Sequence, residues 1–251
     1  MNGTRYQYTL WLLIPVFSCQ QKQTDASNNR PDSLVSTASM IQSTLALPNR
    51  LPGHFFIIPG RQVGHIDAAA TEAGLLALLG ANNVQHDTIY VIDGTYAIGT
   101  TLYKNTPDQA QILWADTLHF ARPRTVLLRP SLDQDNNPLP GPHGTTPRWV
   151  TDQGVRIGMT LREVEKINGR PFSLYGFEWD YSGLSLGWKG GSLAQKDGTT
   201  YLGASFAPAN GLSQAQATAY QSLLGDQELL SANPAMRQLN PTIQTLSVSF
   251  K

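Results

Sequence analysis

The tightest constraint on the fold is a pattern that occurs twice: a short capped helix followed by a run of short strands. "TEAGLLALLG", Thr71 to Gly80, and "TLREVEKING", Thr160 to Gly169, are each ten residues long, open on threonine and close on glycine. Both place apolar residues at the fifth and eighth positions, Leu75 and Leu78 in the first and Val164 and Ile167 in the second. That spacing makes one helical face, and glycine suits the left-handed position just past a helix C-terminus. In the second copy Thr160 and Glu163 make a T-x-x-E capping box, and Met159 can staple onto Val164. The first copy has Gly74 where the box needs an acid.

Strand-like segments follow each helix. After the first come "DTIYVI", "YAIGTTLY", "QILWAD" and "TVLLRP"; after the second come "FSLYGFEW", "GLSLGW" and "YLGASFA". They are short, β-branched or aromatic, and bounded by Gly, Asp, Asn and Pro. Ser213 to Leu224 reads as a further helix with Ser213 as N-cap and Gly225 beyond its end, and Asn233 to Leu239 as a helical turn. A last strand, Gln244 to Phe250, alternates Leu246, Val248 and Phe250. Between the halves, Ser131 to Pro147 holds four prolines, two glycines and an Asp/Asn cluster, which rules out a helix or a central strand. The expectation is an α+β protein of two helix-plus-small-antiparallel-sheet modules, residues 53–130 and 149–251, joined by a linker at 131–148. The alternative is one sheet shared by both.

The N-terminus points to location. Arg5 and the amino group precede the apolar run Tyr8 to Phe17, which is too short to span a bilayer but fits a signal peptide core. Val16-Phe17-Ser18-Cys19 then resembles a bacterial lipobox, followed by a polar stretch. Cys19 is the only cysteine, so no disulfide can form, and lipidation would occupy its thiol. Residues 1–18 are therefore expected to be a lipoprotein signal peptide and 19–52 a polar tether. Cys19 would anchor the protein to the outer membrane, at its periplasmic or surface face. Lys plus Arg equals Asp plus Glu at 18 each, so no net field attracts nucleic acid, and none is expected as a partner.

Few motifs carry chemistry. Gly183-Leu184-Ser185-Leu186-Gly187 matches G-x-S-x-G, but a nucleophile elbow needs a helix after the serine. Here Leu184, Leu186 and Trp188 alternate straight through it, Lys189-Gly190-Gly191 follows as a turn, and no histidine occurs after His143. His54, His65, His86, His119 and His143 show no metal-binding spacing. Asp133, Asp135 and Asn137 alternate as in a calcium loop, but Pro138 stands where an EF-hand needs glycine. No catalytic residue, metal or cofactor is expected.

The densest feature is Arg170 to Trp188, with six aromatics. Read as a strand with a bulge at Gly176, it sets Phe177, Trp179 and Tyr181 on one face and Glu178 and Asp180 on the other. An exposed aromatic row beside two acids is a recognition surface for protein or glycan, so these five residues are the expected binding site. A hydrolase acting on envelope glycans or esters is the alternative. Acids at i,i+2 on a strand stand ~6.5–7 Å apart on one side, whereas a glycosidase pair flanks the bond from both sides.

"GVRIGMTLREVEKINGRPF", Gly154 to Phe172, resembles the opening of modules in the β-lactamase-inhibitor-like superfamily, which includes the SmpA/OmlA small outer-membrane assembly lipoproteins. The residues that carry the likeness are Gly158-Met159-Thr160, Val164 and Gly169-Arg170-Pro171. More broadly the chain resembles Bacteroidetes-type envelope lipoproteins. The resemblance implies an envelope location, helix-plus-sheet modules and protein binding rather than catalysis, and it supplies no catalytic residues.

Overall fold

Before the first helix the chain makes three short strands, β1 (Phe56–Ile58), β2 (Gln62–Val63) and β3 (Ile66–Asp67), and then α1 (Glu72–Leu79). The computed structural model describes residues 54–92, 94–135, 137–195 and 200–251; the expected leader, Cys19 and the tether lie outside them. A four-strand meander follows: β4 (Val84–Tyr90), β5 (Tyr96–Leu102), β6 (Ala110–Asp116) and β7 (Ala121–Leu128). The second half runs β8 (Val150–Thr151), α2 (Leu161–Asn168), β9 (Ser173–Tyr175), β10 (Ser185–Gly187) and β11 (Leu202–Ala207). It closes with α3 (Gln214–Gln221), β12 (Glu228–Leu230), α4 (Pro234–Leu239) and β13 (Thr242–Ser249).

The helices start and stop where side chains satisfy the orphan backbone groups. Thr71 accepts from the Gly74 N–H, and Thr160 with Glu163, like Ser213 with Gln216, completes a reciprocal capping box. Gly169 closes α2 in the left-handed conformation, at φ 74°. The face of α1 differs from the expectation. Leu75 is buried, but Leu78 is 61% exposed, because α1 turns the i,i+4 pair Leu75 and Leu79 inward instead.

The fold is α+β, and strands of both halves share its largest sheet. That sheet has the order β11-β13-β7-β6-β5-β4, all neighbours antiparallel, with Leu246 opposite Leu128 and Val248 opposite Val126 where the halves meet. A four-stranded sheet, β3-β2-β1-β8, also draws on both halves, and its β1–β8 pairing is parallel. The third sheet is β10-β9-β12. One face of the large sheet packs into a continuous core: Ile112 and Trp114 from β6, Val126 and Leu128 from β7, Leu246 and Val248 from β13, with Val164 of α2. Among the described residues of 131–148 there are only isolated bridges, Leu132 with Pro138 and Gly141 with Gly144. The end of this segment is pinned. Asp108, 5% exposed, accepts from the Arg148 backbone and guanidinium, and its carbonyl accepts from the buried Trp149 indole at 2.9 Å.

The other face of the large sheet positions the site. Ile89 and Leu113 are buried yet stand apart from the main core cluster, on this second face. Gly99 makes room there: a Cβ on it would collide with the Ile112 carbonyl and with Ile89 Cδ1. The tip of the β4–β5 hairpin folds toward the second face, where the Tyr90 carbonyl accepts from Arg129 beyond the end of β7. Strand order alone would separate β4 from β7 by three spacings of about 4.8 Å, so the sheet curls strongly.

Candidate functional site

The segment expected to be a bulged strand leaves the sheet after β9, which corrects the sequence reading. Gly176 lies against the carbonyls of Leu223 and Gly225, where a Cβ would come within 2.5 Å of both. The next residue turns inward: Phe177, 1% exposed, stacks at a tilt on Tyr220 at 5.4 Å. Its N–H donates to the Leu223 carbonyl, and it accepts from Gly225. Phe177 is therefore a core residue and not part of an exposed row. Glu178 then takes a left-handed φ of 60°, which reverses the chain and breaks the strand alternation.

The two acids part company instead of sharing a face. Glu178 accepts from the Tyr220 hydroxyl at 3.0 Å. Burial and that hydrogen bond to a carboxylate push the Tyr220 phenol up to about 12. Asp180 is exposed and lines a cleft instead.

Trp179 and Tyr181 do come together, in a cluster of three rings rather than along a strand. Tyr175, at the end of β9, meets Trp179 edge-on at 4.8 Å and Tyr181 at 5.9 Å, and Trp179 and Tyr181 lie 5.1 Å apart. The Trp179 indole donates to the Gly176 carbonyl at 3.1 Å, which fixes the ring on its own loop. Trp179 is half-buried and Tyr181 exposed, so the cluster presents aromatic surface to solvent.

Beside the rings is a cleft of about 320 Å³, at the lower end of the range for small-molecule pockets. Three elements wall it: the hairpin tip (Tyr90, Val91, Ile92), the 180–184 loop, and the second face of the large sheet. The sheet contributes Leu127, Arg129, Ser205, Thr245 and Ser247. Pairing puts Leu127 opposite Ser247 and Ser205 opposite Thr245, which brings the hydroxyls together. Arg129 donates through Nε to Gln111 Oε1 at 2.7 Å and through Nη2 to the Tyr90 carbonyl. Burial lowers its pKa below the ordinary arginine value.

Arg129 and the hydroxyls were absent from the sequence expectation. A trace of the hydroxyls is legible: Thr245, Ser247 and Ser249 alternate with the apolar row of β13. Arg129 leaves no such trace.

The other candidates resolve into structure. Ser185, 9% exposed, accepts from the Ala204 N–H at 3.0 Å, tying β10 to β11. Gly183 ahead of it has φ 63°, and a Cβ there would run into the Phe206 carbonyl. Asp133 spends one carboxylate oxygen on the backbone N–H groups of Asp135 and Asn137, as an Asx turn does. The fold brings His54 and His65 within 2.8 Å, a pairing invisible in their spacing. Among the described residues, no group of three or more His, Cys, Asp or Glu is placed to hold a metal ion.

Compared with family models, curated proteins and solved structures, the chain matches none.

Proposed function

We propose that this chain is a non-catalytic binding module of the bacterial cell envelope, lipid-anchored through Cys19, that holds a glycan on the Tyr175, Trp179 and Tyr181 cluster and the cleft beside it. One observation carries the reading: three rings pack on one another, partly open to solvent, and one of them, Tyr181, lines a cleft with several hydroxyls. Saccharide rings have apolar faces that stack on aromatics and polar edges that need hydrogen bonds, and this surface offers both. The non-catalytic part is supported by Ser185, whose hydroxyl is engaged with the backbone, and by Glu178, which is engaged with Tyr220 rather than paired with Asp180. The anchor is supported by the lone cysteine after an apolar run.

Co-sedimentation of the full chain with insoluble envelope polysaccharide tests the binding half. Wild type is expected in the pellet and Tyr181→Ala in the supernatant; equal partitioning of both would remove the site. Fractionation tests the anchor: Cys19→Ala should leave the membrane fraction, and a variant that stays there contradicts lipidation.

A further inference from the structure

We infer that the cleft receives an acidic sugar, a hexuronate or similar hydroxylated carboxylate, and that Arg129 binds its carboxylate. This rests on the glycan reading above and narrows it to a ligand class.

Arg129 is held in the geometry of an anion receptor at the wall of the cleft. A guanidinium carries five N–H groups in a rigid fork. Arg129 commits one from Nε to Gln111 and one from Nη2 to the Tyr90 carbonyl, which fixes its plane between two strands. The three that remain lie on Nη1 and Nη2, the end of the fork that matches a carboxylate with two parallel hydrogen bonds. Lys104, Arg148 and Arg237 each have such a partner, in Asp87, Asp108 and Glu165. Among the described residues no carboxylate pairs with Arg129. A cation partly removed from water and short of counter-charge is costly, and a bound anion relieves that cost.

The rest of the lining selects what the anion is attached to. The hydroxyls of Ser205, Thr245 and Ser247 line the cleft and make no hydrogen bond to protein among the described residues. The Asp180 carboxylate is likewise without a protein partner and can accept from a pair of sugar hydroxyls. Tyr181 offers a ring to an apolar sugar face. A simple inorganic anion would use Arg129 and leave the three hydroxyls and the Asp180 carboxylate without partners. A neutral sugar would use the hydroxyls and leave Arg129 without counter-charge. A ligand with one carboxylate and several hydroxyls satisfies the whole set.

Calorimetric titration of the full chain with D-glucuronate and D-galacturonate, their methyl esters, and D-glucose tests the inference. The ester keeps the shape and loses the charge. One uronate is expected to bind about tenfold or more tighter than its ester, a margin that shrinks as salt is raised. In Arg129→Gln that uronate should fall to the level of the ester. Equal binding of acid and ester overturns the acidic-sugar inference while leaving the glycan reading intact, and so does a preference that survives in Arg129→Gln. Absence of any sugar binding, together with failure of wild type to sediment with polysaccharide, overturns both. If Arg129→Gln does not fold, the acid-against-ester comparison on wild type still decides.

Discussion

Replacing Trp179 by alanine separates a core anchor, a loosely held surface ring and a ring held in a cluster. Trp179 is half-buried, contacts Tyr175 at 4.8 Å and Tyr181 at 5.1 Å, and donates one hydrogen bond to Gly176. A fully buried tryptophan would cost about 3–5 kcal/mol on truncation. Here the two aromatic contacts are worth roughly 0.5–1.5 kcal/mol each and the hydrogen bond about 1 kcal/mol, and the exposed part of the ring contributes little. The sum is about 2–4 kcal/mol, and what the neighbouring tyrosines recover by closing over the gap brings it to the lower end, about 2 kcal/mol. For a folded unit of this size each kcal/mol moves the melting temperature by about 2–4 °C, giving a fall of roughly 4–8 °C. Differential scanning calorimetry reads it directly, with polysaccharide co-sedimentation lost in the same variant. A fall well beyond about 10 °C would make Trp179 a core residue, and a change under about 1 °C would mean the three rings do not hold one another.

Other consequences are local. Gly183→Ala places a methyl group against the Phe206 carbonyl at a φ of 63°, so it should cost more than about 1–2 kcal/mol by chemical denaturation. Glu163 is held below the usual glutamate value, chiefly by the Thr160 N–H and then by its hydroxyl. A depressed folded-state pKa gives stability above the unfolded value that is lost as pH falls through the folded one. The wild-type melting temperature should therefore drop more steeply between about pH 5 and pH 3 than that of Glu163→Gln. Tyr220, at about 12, should ionise late in an ultraviolet titration, and Glu178→Gln should bring it closer to the ordinary tyrosine value.

What was legible in the sequence follows the range of the interactions. Thr160, Ser213 and Asn233 cap their helices through bonds that reach two or three residues along the chain, so the cap and its partner can be read together. The apolar alternation of β13 likewise records burial on one face. The strand through Phe177 to Tyr181 failed because Gly176 meets Leu223 and Gly225, from a distant part of the chain, and nothing nearby signals that contact. The left-handed Glu178 follows from it. Arg129 was missed for the same reason: its partners lie 18 and 39 residues away, and only the curled sheet brings them together. Leu75 and Leu78 show a subtler limit, since two helical faces were open to α1 and its packing chose the one with Leu79.

Glycan binding at the ring cluster and cleft is tested most directly by nuclear magnetic resonance of the full chain, with ¹⁵N label, during titration with a soluble envelope oligosaccharide. It predicts shifts that saturate together at the Trp179 indole N–H, at the amides of Asp180 to Leu184, and at Ser205 and Ser247 across the cleft. Saturable shifts that cluster on another surface, with the Trp179 indole and the cleft amides unmoved, would contradict it.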